Sequence, residues 1–204
     1  MDPISIIVYI AILLFSVIFH EIAHGIVADK LGDPTAKFSG RLTLNPVNHI
    51  DPIGTILLPI TLVIMNSPVV FGWAKPVPIN FMGLRNPKRD IIWVGAAGPI
   101  ANVLLAFILG AVFRLLPFLH TPVLANVMFA GVLVNLVLAA FNLIPIPPLD
   151  GSRILFGLLP PQAAMSYMRI EPYGFIILFV MVWLRLTDWF VYSLVALLAR
   201  IIGV

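Results

Sequence analysis

Cysteine is absent from the 204-residue sequence. That excludes a disulfide framework, a thiolate metal site and a thiol nucleophile, so any metal has to sit on His, Asp or Glu. Charge is scarce as well: 10% of the residues are Asp, Glu, Lys or Arg, against 61% hydrophobic. Soluble globular domains carry about 25% charged residues, so lipid rather than water surrounds most of this chain. A broad basic face for nucleic acid is also missing. The net charge is +3, and seven of the 12 basic residues fall between Lys30 and Arg89, flanked by apolar runs. That clustering reads as a membrane orientation signal, with no nucleic acid as partner.

What the chain does have is long apolar runs. About 20 helical residues cross a ~30 Å hydrocarbon layer, and runs of that order recur, which predicts an all-α polytopic membrane protein forming one domain over residues 1–204. The first run, Ile4 to Val27, is apolar except for His20, Glu21 and His24, and the polar and turn-forming residues from Asp29 to Pro34 end it. It reads as a retained span, a signal peptide being the alternative. Between residues 33 and 90 the character changes. Thr35 to Asn48 alternates short apolar and polar residues among turn formers, which predicts a small strand or hairpin offering a strand edge. Ile53 to Met65 is helical but too short to cross, so a re-entrant segment is expected. The proline-rich stretch from Phe71 to Asp90 predicts an interfacial loop. Ile91 to Leu116, interrupted early by Gly98-Pro99, and Val123 to Ile144 are the second and third spans. The helical region from residue 155 to 204 ends in Tyr173 to Val204, too long for one ordinary span and short for two, giving four to five crossings in all. The charge distribution puts the first loop on the cytoplasmic side and the start of the first helix outside. His24 and Asp150, at the ends of the first and third spans, then share one depth.

His20-Glu21-Ile22-Ala23-His24 is an HExxH motif. Positions i and i+4 of a helix share a face, so both imidazoles reach one zinc ion at about 2.0 to 2.1 Å, with Glu21 beside it to take a proton from bound water. Chance accounts poorly for this pattern. A histidine pair hydrogen-bonded within a bundle is the other bland reading, but burying two His and a Glu in an apolar helix costs several kcal/mol unless something binds them. A catalytic zinc site usually has a third protein ligand. Asp150, in the turn Pro147-Pro148-Leu149-Asp150-Gly151, is the candidate, against the alternative of a helix-end cap. Glu171 and Asp188 are its rivals: one precedes a proline in a loop, the other is placed to pair with Arg185. Asn102 and Asn135 read as helix-to-helix hydrogen bonds, His49 and His120 as interface residues, and Trp73, Trp93, Trp183 and Trp189 as interfacial or packing positions.

HEIAH in an early span together with NLIPIPPLDG in a later one resembles the site-2 proteases, the intramembrane zinc metalloproteases, whose motifs HExxH and NxxPxxxLDG are matched without substitution. FGWAKPVPIN and AAGPIAN are similar to segments of the compact bacterial and archaeal type, and the likeness runs from about Phe15 to Arg153. The resemblance implies one catalytic zinc on His20, His24 and Asp150, with Glu21 as the base. It implies further that Asn142 positions the substrate backbone or stabilises the oxyanion. Substrates would be transmembrane proteins or peptides in the lipid bilayer, cut for signalling or for clearance of remnant peptides. The PDZ-like insertion of larger members is missing between Trp73 and Ile91, and no CBS-type region is expected after the last helix. Two readings from other classes stand beside this one. An intramembrane His, Glu and Asp cluster also marks metal-dependent transporters or channels, although Ile4 to Phe19 offers no continuing polar path. A scaffold that binds membrane partners without cutting them is the other.

Overall fold

A computed structural model describes residues 3–65, 74–116 and 121–203. Nine helices occur in these segments, and no strand does. Helix α1 spans Pro3–Leu31, α2 Thr35–Phe38 and α3 Leu58–Ile64; α4 spans Pro87–Leu115, α5 Pro122–Asn142 and α6 Asp150–Leu158. The chain then forms α7 Pro161–Met168, α8 Gly174–Trp183 and α9 Asp188–Ile202. Four helical stretches are long and apolar enough to cross a membrane: Ile6–Leu31, Pro87–Leu115, Pro122–Asn142 and Pro161–Trp183. The fourth joins α7 and α8 through a tight turn at Glu171–Tyr173 and is almost wholly exposed, as a helix facing lipid would be.

Local signals place the ends. Pro87 and Pro122 sit in the first turns of α4 and α5, where a missing N–H costs nothing, and the Thr121 hydroxyl accepts from Leu124 N. Helix α1 runs past the expected stop to Leu31, and Gly32, at φ +116°, makes the turn. Pro99 does not interrupt α4, which continues through it.

The predicted hairpin over Thr35 to Asn48 is overturned. Asp33 accepts from the N–H and hydroxyl of Thr35 just ahead of α2, Gly40 turns the chain at φ +63°, and Asn45 caps a tight turn at Pro46–His49. Short polar side chains here bond to the backbone nearby, satisfying groups that a strand ladder would otherwise use. Pairing of a substrate with an edge in this segment therefore falls away. The short helical segment is present: Asp51 accepts from Ile53 and Gly54 N–H, starting a wide turn over Pro52–Leu57 that tightens into α3. Trp73, His120 and the turn from Pro117 lie outside the described residues.

Helix α4 is the centre of the bundle, packing against α1, α5, α6 and α9. Five of its ten buried positions are Gly or Ala (Gly95, Ala97, Gly98, Ala106 and Gly110), which lets neighbouring backbones approach closely without help from water expulsion. Leu136, Ala140 and Val132 of α5 pack there with Val195 and Ile202 of α9. Between α8 and α9, Arg185 takes a φ of 58°, a left-handed conformation uncommon for a non-glycine residue.

Candidate metal centre

The helical spacing of His20 and His24 turns both imidazoles from α1 towards α4, where both are buried. Asp150 arrives from the first turn of α6 and is likewise buried. Three coordinating atoms converge: His20 Nε2 and His24 Nε2 lie 3.1 Å apart, and Asp150 Oδ2 lies 3.0 Å from the first and 3.2 Å from the second. Among the described residues no other group of three or more His, Cys, Asp or Glu is so placed.

Protons account for why this triangle suits a cation. His20 Nδ1 lies 2.6 Å from Asn102 Oδ1, and His24 Nδ1 lies 2.6 Å from the carbonyl of Val94. Both partners are acceptors, so both Nδ1 atoms carry the hydrogen and both Nε2 atoms present lone pairs inward. Asp150 Oδ2 is buried without a hydrogen-bond partner despite its short approaches to the imidazoles. Three electron-rich atoms therefore face one another. One imidazolium would relieve only part of that repulsion, whereas a divalent ion relieves all of it. Ligands on a tetrahedral zinc with bonds of 2.0 to 2.1 Å stand roughly 3.4 Å apart, so the triangle fits with a few tenths of an ångström of expansion. Gly98 supplies the room: a Cβ there would run into the imidazoles of both histidines.

Glu21 is half-buried, and its Oε2 accepts a hydrogen bond of 2.8 Å from Val77 N–H. Val77 belongs to the strap from Ala74 to Asn80. Arg41 Nη2 holds that strap through the carbonyls of Lys75 (2.7 Å) and Pro76 (3.2 Å); Lys75 N–H donates to His49 O (2.9 Å) and Asn80 N–H to Asp33 (2.6 Å).

The other candidates separate from this cluster. Asn142 Nδ2 donates to Leu138 O within its own helix. Glu171 is exposed, lining with Lys88, Arg153, Phe81 and Tyr167 a cavity of about 490 Å³ that flanks the Pro147-Pro148 turn and includes none of the three ligand candidates. Asp188 opens α9 and is not among the three converging ligand atoms. His49 is fully buried, with Nε2 2.8 Å from Thr43 O, and stands apart from the three converging ligand atoms. Trp93, Trp183 and Trp189 are exposed. Asn102 is the residue whose place the sequence reading missed: a helix-to-helix bond was expected, and it makes one to Asn135, but it also meets His20. Its spacing from the motif, 82 residues, carries no local signal.

Comparison with known proteins identifies the family. Residues 118–184 match the model of peptidase family M50. The chain is 41% identical to "Putative zinc metalloprotease YwhC" of Bacillus subtilis over 190 residues, 88% of this chain and 82% of that one. It is 32% identical to "Putative zinc metalloprotease Rip2" of Mycobacterium tuberculosis over 170 residues, covering 82% of this chain and 63% of the relative. It is also 30% identical to "Zinc metalloprotease MJ0392" of Methanocaldococcus jannaschii over 156 residues, which is 33% of that longer protein. No solved structure gives a significant match.

Proposed function

Because this chain belongs to peptidase family M50, the site-2 protease family of zinc metalloproteases, we propose that it is an intramembrane endopeptidase that hydrolyses peptide bonds within or beside transmembrane segments of membrane proteins. The observation that carries this reading is the inward triangle of two bare imidazole nitrogens and one unpartnered carboxylate oxygen next to Glu21.

In this reading His20, His24 and Asp150 hold the metal. Bound zinc would supply a Lewis acid that polarises the scissile carbonyl and acidifies water at neutral pH. Glu21 takes a proton from the attacking water and delivers it to the leaving amine, a role that needs a carboxylate free to exchange a proton at Oε1 while Val77 N–H steadies Oε2. Asn142 aligns the substrate backbone or stabilises the developing oxyanion, which requires its amide to leave Leu138 O. The α1–α4–α5 interior keeps bulk water out, which strengthens each of these charge interactions. A substrate helix has to unwind locally first, because its carbonyls are already hydrogen-bonded within the helix.

The same reading places the protein in a prokaryotic cell membrane, with the basic loop and the metal centre towards the cytoplasm and the start of α1 outside. A conduit for ions is disfavoured by the buried polar residues themselves: inward of His20 they extend to Asn102, Asn135 and Ser16, all hydrogen-bonded to one another, while Ile6 to Phe15 is apolar apart from Tyr9.

The deciding experiment compares wild type and Glu21→Gln, purified in detergent, for bound zinc and for cleavage of single-span peptides. Both should hold zinc, with cleavage reduced about 10²- to 10⁴-fold in the variant. Equal cleavage by the two proteins would overturn the role given to Glu21.

A further inference from the structure

Behind the metal centre lies a second layer of buried polar residues that the proposed chemistry does not use. Asn102 of α4 and Asn135 of α5 are essentially inaccessible, at 0% and 1% exposure, and Ser16 of α1, at 2%, sits between them. Polar groups at such depth among apolar helices are costly unless every hydrogen bond is made. Here they are made: Asn102 Nδ2 donates to Ser16 O (3.1 Å) and to Asn135 Oδ1 (2.8 Å), while Asn135 Nδ2 donates to Gly131 O (2.8 Å) and to Ser16 Oγ (2.9 Å).

We propose that Asn135 and Asn102 act in series as positioning residues that fix the tautomer of His20, and thereby set the zinc affinity of a centre neither of them touches. This rests on His20 being a zinc ligand. An amide side chain has nearly the same shape with its oxygen and nitrogen exchanged, so shape alone leaves its orientation open. Acceptors that cannot change character remove that freedom. Gly131 O is a backbone carbonyl and compels Asn135 to present its NH₂ there, leaving Asn135 Oδ1 towards Asn102. Ser16 O is a second backbone carbonyl, and with Asn135 Oδ1 it compels Asn102 to present its NH₂ on that side. Asn102 Oδ1 is then the atom left facing His20 Nδ1 at 2.6 Å, so the imidazole hydrogen goes to Nδ1 and Nε2 is bare. Exchange of the Asn102 amide would set NH₂ against Nδ1 and drive the hydrogen to Nε2, where it would occupy the metal's place. His24 needs no such relay, because its Nδ1 bonds Val94 O directly.

A packing role alone and the relay differ in a measurable way. The full chain would be purified in detergent as wild type, Asn102→Leu, Asn135→Leu, Asn102→Asp and His20→Ala. Zinc dissociation constants would be read by chelator competition, and thermal unfolding would be followed on metal-free protein. Outer partners of metal-bound histidines commonly govern affinity by about 10- to 100-fold, and that loss is expected for Asn102→Leu, with a smaller loss for Asn135→Leu. Asn102→Asp, which retains an acceptor for Nδ1, should recover most of the affinity lost in Asn102→Leu. Nitrogen-15 spectra of labelled histidine in the metal-free wild type should show His20 as the Nδ1–H form, with Asn135→Leu giving a mixture even if Asn102→Leu fails to fold. If His20→Ala loses zinc while both leucine variants keep wild-type affinity, the relay is wrong and the metal centre stands. If His20→Ala binds zinc as wild type does, the metal centre itself is wrong and the relay falls with it.

Discussion

The backbone N–H of Val77 donates to the Oε2 of Glu21 at 2.8 Å, joining a strap from the middle of the chain to the helix that carries the metal motif. Val77 lies between Pro76 and Pro78, which have no N–H, so it owns the one main-chain donor in that triplet. Its side chain is buried, and Arg41 holds the carbonyls of Lys75 and Pro76 beside it. One carboxylate oxygen of Glu21 is thus fixed, leaving the other for proton transfer.

Removing that donor should slow cleavage without emptying the metal centre. Val77→Pro is expected to lower kcat/KM about 10- to 100-fold, corresponding to a charge-assisted hydrogen bond of roughly 1.5 to 3 kcal/mol, while zinc content stays at the wild-type level. Val77→Ala, which keeps the N–H, should retain most of the activity. Peptide-cleavage kinetics with parallel zinc analysis check this; equal losses in both variants would assign the effect to packing instead.

Gly98 should tolerate no side chain. A Cβ would meet the imidazoles of His20 and His24 where the metal is to sit, so Gly98→Ala is expected to reduce zinc affinity by more than about tenfold. Metal analysis after dialysis against a weak chelator reads this directly.

Stripping the metal should destabilise the junction of α1, α4 and α6, since His20 Nε2, His24 Nε2 and Asp150 Oδ2 then face one another with no cation between them. Zinc at about 100 times its dissociation constant stabilises the fold by about 2.7 kcal/mol. Chelation should therefore lower Tm, and zinc should restore it. Magnesium should not, because it favours oxygen ligands. The shift should be absent in Asp150→Ala.

Leu136, fully buried where α5 meets α9, tests the bundle apart from the chemistry. In water Leu→Ala costs about 2 to 5 kcal/mol, but lipid is as apolar as leucine, so only the lost packing counts and about 2 kcal/mol is expected. Denaturation in detergent measures this, and bound zinc should be unchanged.

The long spans were legible in the sequence because membrane helices have to be apolar over a set length, and the chain obeys that at residues 6–31, 87–115 and 122–142. His20, His24 and Asp150 were legible because a metal motif on a helix has a fixed spacing and the proline-rich turn after the third span carries one aspartate, Asp150. The segment from Thr35 to Asn48 was misread because its alternation comes from caps rather than from a sheet: Asp33 and Asn45 bond to neighbouring backbone, a local competition that periodicity does not register. Asn102 was placed on the right helices but not beside His20, since three helices have to assemble before that meeting exists. The C-terminal region, read as too long for one crossing and short for two, is made of α8, a positive-φ Arg185, and α9 packed on α5 and α4. That outcome depends on long-range packing rather than on hydropathy.

Zinc-edge X-ray absorption on the purified full chain reaches the central claim most directly. One ion per chain is expected, with two imidazole nitrogens at about 2.0 to 2.1 Å and carboxylate or water oxygen at about 2.0 to 2.2 Å, and with one of the two imidazole ligands lost in His24→Ala. Protein that binds no zinc, or a spectrum unchanged in both His24→Ala and Asp150→Ala, would contradict the account.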